Sequence, residues 1–199
     1  MAKLILVRHG ESEWNKTGLW TGWTDIGLSE KGKEEARLAG EKLKNLQIDI
    51  VYTSPLIRAK QTLNEIKNVL GLENLETVEN QALTERNYGI YTGKNKWEIQ
   101  KEVGDEQFQK IRRGWDVPIP DGETLKDVYN RAVPYYESEI LPKLKDGKNV
   151  LIVAHGNSLR ALVKYLEKIS DADVEKLEIP TGAALVYEVS PNGSPVVIE

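Results

Sequence analysis

Short, continuous apolar runs with β-branched content recur at 4–7, 48–52, 150–154 and 184–189. Such runs are the mark of strands buried on both faces, as in a parallel sheet. Between them, apolar positions fall at helical spacing. The stretch 29–46 places Ala36, Leu38, Ala39, Leu43 and Leu46 on a core face behind an N-cap at Ser29. A second helix is expected after Ser54-Pro55, with Ser54 capping, Pro55 in the first helical position and Gly71 as the stop. A longer one is expected over 125–144, kinked at Pro134, and another over 158–169. Strand alternating with helix predicts an α/β fold: a three-layer αβα sandwich around a mainly parallel sheet. The segment 82–122 differs, being polar, basic and aromatic with short helices at most. It is expected to be a substrate-binding insertion over the sheet of one domain spanning 1–199.

Two runs carry an echo. Ile5-Leu6-Val7-Arg8-His9-Gly10-Glu11-Ser12 aligns with Leu151-Ile152-Val153-Ala154-His155-Gly156-Asn157-Ser158, each a strand followed by His-Gly, a polar residue and Ser. Ligands of open α/β sheets bind beyond the carboxyl ends of the strands. If the two strands are neighbours, both histidines emerge at one such edge. They are the only two histidines in the chain, so any histidine mechanism must draw on this pair.

Composition narrows the chemistry. With no cysteine, thiolate catalysis, disulfides and cysteine-ligated metals are excluded. No apolar run approaches the roughly 20 residues of a bilayer span, and no signal-peptide pattern opens the chain, so a cytoplasmic location is expected. The net charge of −4 disfavours nucleic acid and anionic membrane as partners. An anionic small molecule must then be gathered by a local cluster of Arg and Lys.

A neutral imidazole attacks phosphorus well near neutral pH, and the P–N bond it forms is labile enough to pass the phosphoryl group on. Little else is needed beyond cations and N–H donors around the equatorial oxygens. Arg8 adjoins His9, Arg58 follows a strand end, Gly10 permits close backbone approach, and a helix starting near Asn157 adds N–H groups. His155 is then a charged partner for the transition state. A two-histidine metal site completed by Glu11 or Glu85 is the competing reading, although Arg8 beside it would repel a divalent cation.

At this point Leu6-Val7-Arg8-His9-Gly10-Glu11-Ser12 resembles the Arg-His-Gly motif of the histidine phosphatase superfamily, with Ala154-His155-Gly156-Asn157-Ser158 as its second histidine motif. The resemblance covers almost the whole chain and narrows to cofactor-dependent phosphoglycerate mutases through Asn15, Thr21-Gly22-Trp23, Thr53-Ser54-Pro55-Leu56-Ile57-Arg58-Ala59, Glu85-Arg86-Asn87-Tyr88-Gly89, Gly93-Lys94-Asn95-Lys96 and Ile111-Arg112-Arg113. It implies that His9 carries the phosphoryl group among Arg8, Arg58 and His155, and that Glu85 is the general acid/base. Arg86, Tyr88, Lys96, Arg112 and Arg113 would hold the carboxylate and second phosphate of a bisphosphoglycerate, with Ser12, Asn15, Thr21, Gly22, Gly156 and Asn157 as further substrate contacts. Ser12 favours a mutase, because related bisphosphoglycerate synthases tend to carry Gly there.

The family further implies priming by 2,3-bisphosphoglycerate, no metal, and a monomer or dimer, since this chain lacks a stretch near Pro118–Gly122 that bears on subunit contacts in longer relatives. A tail that covers the site in relatives is short here, which would shift the balance from isomerisation toward phosphate release. Trp20, Trp23, Trp97 and Trp115 are expected to pack and shape the loops. A phosphatase acting on another phosphoester and a catalytically inactive phospholigand-binding module remain the alternative functions.

Overall fold

The computed structural model describes residues 1–198, so Glu199, the last residue of the expected domain, lies outside it. Six strands form one sheet: β1 (Ala2–Arg8), β2 (Ile50–Thr53), β3 (Thr77–Glu79), β4 (Val150–Ala154), β5 (Ala184–Val189) and β6 (Pro195–Val197), in the order β3-β2-β4-β1-β5-β6. β3, β2, β4 and β1 run parallel, while β5 and β6 are antiparallel additions at one side. The sheet is therefore mainly parallel, as the apolar runs require. β3 and β6 are three residues long and largely exposed, shorter than the buried apolar runs that mark the other strands.

Side chains alternate across the central strands. Leu4, Leu6, Ile50, Tyr52, Ile152 and Ala154 join one core cluster, which is completed by helices α6 (Leu125–Tyr135) and α8 (Gly156–Leu166). Ile5, Val7, Val51, Leu151 and Val153 join the other cluster, against α2 (Glu30–Leu43) and α3 (Ile57–Leu70). This gives the three expected layers.

Details differ from the pattern in instructive ways. Leu38, expected in the core, is 52 % exposed, because α2 buries Ala36, Ala39 and Leu43 and turns Leu38 outward. Ser54 does not cap α3 in the expected register: Leu56 is the N-cap residue and makes no side-chain cap bond, and the Ser54 hydroxyl is directed to His155. Gly71 does end α3, in the left-handed conformation (φ 65°) that favours glycine. The helix expected over 125–144 is unbroken right-handed helical backbone, α6 passing just after Pro134 through a π turn (Tyr136–Ile140) into α7 (Leu141–Lys145). α8 begins at Gly156, two residues earlier than expected, directly after His155.

The chain between α3 and α6 covers the carboxyl edge of the sheet. A short helix between β1 and α2, α1 (Glu13–Lys16), lies nearer the start of the chain, and the helices of the covering segment are α4 (Lys96–Val103) and α5 (Asp105–Arg113). They close a small core of their own, in which Ile99, Phe108, Ile111 and Ile119 pack on Trp20.

Candidate active site

The sheet order decides the site. The chain runs from β1 by way of α2 to β2, and the strand that returns later, β4, inserts between them. His9 and His155 therefore leave adjacent parallel strands, with Arg8 paired to Ala154 and the His9 N–H donating to the Ala154 carbonyl (2.9 Å). Their ring centroids lie 4.9 Å apart and both side chains are buried.

Hydrogen bonds fix how His9 can react. Its Nδ1 lies 2.6 Å from the Gly10 carbonyl oxygen, which can only accept. The proton therefore sits on Nδ1 and leaves a lone pair on Nε2. Burial, then the Arg58 and Arg8 guanidiniums, hold its pKa well below the ordinary 6.5, outweighing the Gly10 bond that favours the charged ring. A neutral imidazole with its Nε2 lone pair available is the result.

His155 is shifted in the same direction by burial, Arg58, His9 and Arg8, so its uncharged form is favoured. Its Nε2 pairs with Ser54 Oγ at 2.6 Å, and its Nδ1 is buried with no partner. An incoming phosphoryl dianion would reverse the balance that keeps this ring uncharged.

The cations are held from behind. Arg58 donates to the Gly22 and Thr24 carbonyls (2.7 and 3.0 Å), and Arg8 donates to the Ile179 carbonyl (2.6 Å) while its buried Nε is unpartnered. Thr62 Oγ1 accepts from the Gly10 N–H (3.0 Å) and donates to the Arg58 carbonyl (2.8 Å), tying the loop after His9 to α3. Glu85 Oε1 accepts from the N–H groups of Arg86 (2.8 Å) and Asn157 (3.0 Å). Burial would raise its pKa, but the Arg86 N–H, the Arg8 and Arg58 guanidiniums and the Asn157 side chain prevail and hold it below the usual 4.5. Glu85 is thus an ionised carboxylate, ready to accept a proton.

One cavity gathers most of the expected set: Arg8, His9, Asn15, Thr21, Gly22, Arg58, Glu85, Tyr88, Lys96, Arg112, Arg113, Gly156 and Asn157 all line it. His155 stands directly behind His9. Tyr88 accepts from Asn157 Nδ2 at 2.8 Å and packs on Trp20. Lys96 is pulled down to about 8 by burial and by the neighbouring Arg112 and Arg8.

Two expected contacts are placed elsewhere. Ser12 is fully buried as the N-cap of α1, bonding the Asn15 N–H and, through its own hydroxyl, Asn15 Oδ1 (2.9 Å). It orients Asn15 and does not line the cavity. Arg86 is also fully buried, donating to the Ile111 carbonyl (2.5 Å) with its guanidinium 4.6 Å from the Tyr88 ring centre. It braces the wall from behind.

The cavity also holds residues the motifs do not name: Trp20, Arg160, Glu178 and Ile179. Arg160 follows Asn157 by one helical turn on α8, so helical spacing from the second histidine motif points to it. It donates to Asn157 Oδ1 (2.9 Å) and to the carbonyls of Arg113, Val174 and Leu177. No local signal marks Glu178, which pairs with Arg113 at 2.6 Å. Trp23, half exposed, donates from Nε1 to the Glu85 carbonyl (2.7 Å), a support role more specific than loop packing.

Among the described residues, His9, Glu85 and His155 have ligand atoms within 4.8 Å of one another, close enough to hold a cation. Their surroundings argue otherwise: both Glu85-bound N–H groups and the Arg8 and Arg58 guanidiniums present positive charge to the same space. The donor set suits an anion.

Comparison with known proteins agrees with this geometry. Residues 4–198 match the histidine phosphatase superfamily (branch 1). A 2,3-bisphosphoglycerate-dependent phosphoglycerate mutase of Parvibaculum lavamentivorans is 50 % identical over 195 residues, covering 97 % of this chain and 93 % of that protein. A phosphoglycerate mutase of Schizosaccharomyces pombe is 48 % identical over 192 residues, covering 96 % and 91 %. Among solved structures, Bacillus stearothermophilus YhfR superposes with a TM-score of 0.85 at 28 % identity, covering 99 % of this chain and 95 % of that one. Two neighbouring strand-end histidines at one cationic cavity, His9 in its lining and His155 behind, and a match over nearly the full length lead to the same conclusion: this chain belongs to the histidine phosphatase superfamily, branch 1.

Proposed function

We propose that this protein interconverts 3-phosphoglycerate and 2-phosphoglycerate through a phosphohistidine on His9, primed by 2,3-bisphosphoglycerate. The observation that carries the reading is the pairing of a neutral His9, its Nε2 lone pair free, with an ionised Glu85 in one cation-lined cavity. The names and near-50 % identity of the relatives support the same substrate.

In the first half-reaction a substrate hydroxyl attacks the phosphorus on His9. The Nε2–P bond breaks, the new O–P bond forms, and Glu85 takes the hydroxyl proton. The product is 2,3-bisphosphoglycerate. In the second half, the other phosphoryl group passes to Nε2, and the Glu85 carboxyl returns the proton to the departing oxygen. Arg8, Arg58 and the backbone around Gly10 and Gly156 stabilise the equatorial oxygens, and a His155 made cationic by the phosphoryl charge adds to them. Tyr88, Lys96, Arg112 and Arg113 hold the far anionic groups, with Asn15, Thr21, Gly22 and Asn157 lining the path between. No metal is required, since guanidiniums fill the role of a bound cation.

The whole chain acts as one domain with 82–122 as its substrate-binding insertion. Its partner is a small phosphoglycerate and not nucleic acid or membrane, it works as a monomer or dimer, and it resides in the cytoplasm.

A coupled assay of 3-phosphoglycerate conversion, run in chelator with and without catalytic 2,3-bisphosphoglycerate, tests the reading. Conversion that depends on the bisphosphate, survives chelator and releases little phosphate is expected. Phosphate release without isomerisation would reassign the protein as a phosphatase, and loss of activity in chelator would restore the metal reading.

A further inference from the structure

Two acidic side chains line the cavity. Glu85 is buried and has a chemical task. Glu178 sits at the rim, its carboxylate 2.6 Å from the Arg113 guanidinium, with the Glu178 side chain 62 % exposed and that of Arg113 15 %. The backbone beneath Glu178 is anchored to the same cationic wall. The Leu177 carbonyl accepts from Arg113 and Arg160 (both 3.1 Å), and the Ile179 carbonyl accepts from Arg8 (2.6 Å). An anchored strap therefore presents one exposed carboxylate to Arg113 in the cavity wall.

An ion pair with one partner this exposed is weak and easily exchanged. A phosphate or carboxylate entering the cavity offers Arg113 an equivalent partner in a drier setting. We propose that Glu178 is an intramolecular counter-anion: it occupies Arg113 while the cavity is empty and is displaced by the distal anionic group of the ligand. Its identity as a selector of bisphosphorylated ligand rests on the function proposed above. The competition has two consequences. A ligand too short to reach Arg113 leaves the pair intact, and one that does reach it is bound less tightly than the bare cations would allow. Glu178 also stands ready to retake Arg113, which favours release.

The test is calorimetric titration of the wild type and Glu178→Gln with inorganic phosphate, inorganic triphosphate and 2,3-bisphosphoglycerate. Gln preserves shape at an exposed position, so folding is not at issue. The variant is expected to bind triphosphate and bisphosphate about two- to fivefold more tightly, the range set by an exposed pair, and phosphate unchanged. In an Arg113→Met background the Glu178→Gln effect should vanish. Unchanged or weaker triphosphate binding, no triphosphate binding to either protein, or equal tightening for phosphate would overturn the proposal. Failure of the mutase reading would appear separately, as absence of isomerisation by the wild type with the triphosphate ratio intact.

Discussion

At the residue scale, reactivity is set by which atoms are already bonded. The Gly10 carbonyl claims the His9 Nδ1 proton, and burial together with Arg58 and Arg8 discourages a second proton, so the Nε2 lone pair stays available without a separate base. On the proposed covalent route, His9→Ala removes the group that accepts the phosphoryl. It should lower turnover by at least about 10³-fold and eliminate the acid-labile phosphoenzyme; appreciable isomerisation by that variant would refute a covalent route. Lys96 carries a second prediction. With its ammonium pulled down to about 8 by burial and neighbouring cations, the empty enzyme loses that charge as pH rises through 8. A bound anion restores the proton, so KM should climb above pH 8 while kcat stays level. In Lys96→Met the KM should be higher and flat from pH 7 to 9. An alkaline rise that persists in this variant would place the titrating group elsewhere.

At the element scale, the site depends on close backbone packing between the loop after His9 and the start of α2. A Cβ on Gly32 would stand 2.0 Å from the Glu11 carbonyl oxygen, and one on Gly10 would stand 2.1 Å from that of Gly32. Gly32 lies inside a helix, where alanine is ordinarily favoured by about 1 kcal/mol. Gly32→Ala should nevertheless destabilise the fold by about 1–3 kcal/mol, since backbone must move to admit the methyl group. A thermal melt decides between the two effects; for a chain of this size the fall should be about 2–4 °C per kcal/mol. An increase in Tm would show that helix propensity governs this position and that the loop yields freely. The apolar periodicity of α2 was legible without any of this. The contact that makes Gly32 indispensable joins the start of α2 to the loop after β1, and no window along the chain contains it.

At the scale of the whole molecule, burial of the chemistry gives the fold a pH dependence. His9 and His155 take up protons less readily folded than unfolded, because their folded pKa values lie well below the ordinary 6.5. Below pH 6.5 the unfolded chain therefore binds more protons. Their contribution is complete above about pH 6.5 and is lost as pH falls toward the depressed folded values. Glu85, lowered from 4.5, acts in the same direction further into acid. Melts from pH 7 to 5 should show the wild type losing stability more steeply than His155→Asn, which has one fewer group to titrate. Parallel slopes would mean that His155 protonates as readily folded as unfolded.

What the sequence determined by itself is what local chemistry and periodicity can carry. Continuous apolar runs demand strands covered on both faces, helical spacing supplies the covers, and the repeated His-Gly pattern places two reactive rings at strand ends. The motif residues of the cationic cavity were legible because most lie within short strings that resemble the family's motifs. Tertiary structure alone decided that β4 inserts between β1 and β2, which turns distant histidines into neighbours 4.9 Å apart. It alone turned Arg86 and Ser12 away from the cavity, since which side of a loop an arginine faces depends on the carbonyls it finds across the fold. It alone brought Glu178 to Arg113 and set the protonation of both rings, because desolvation and charge depend on distance through space and not along the chain.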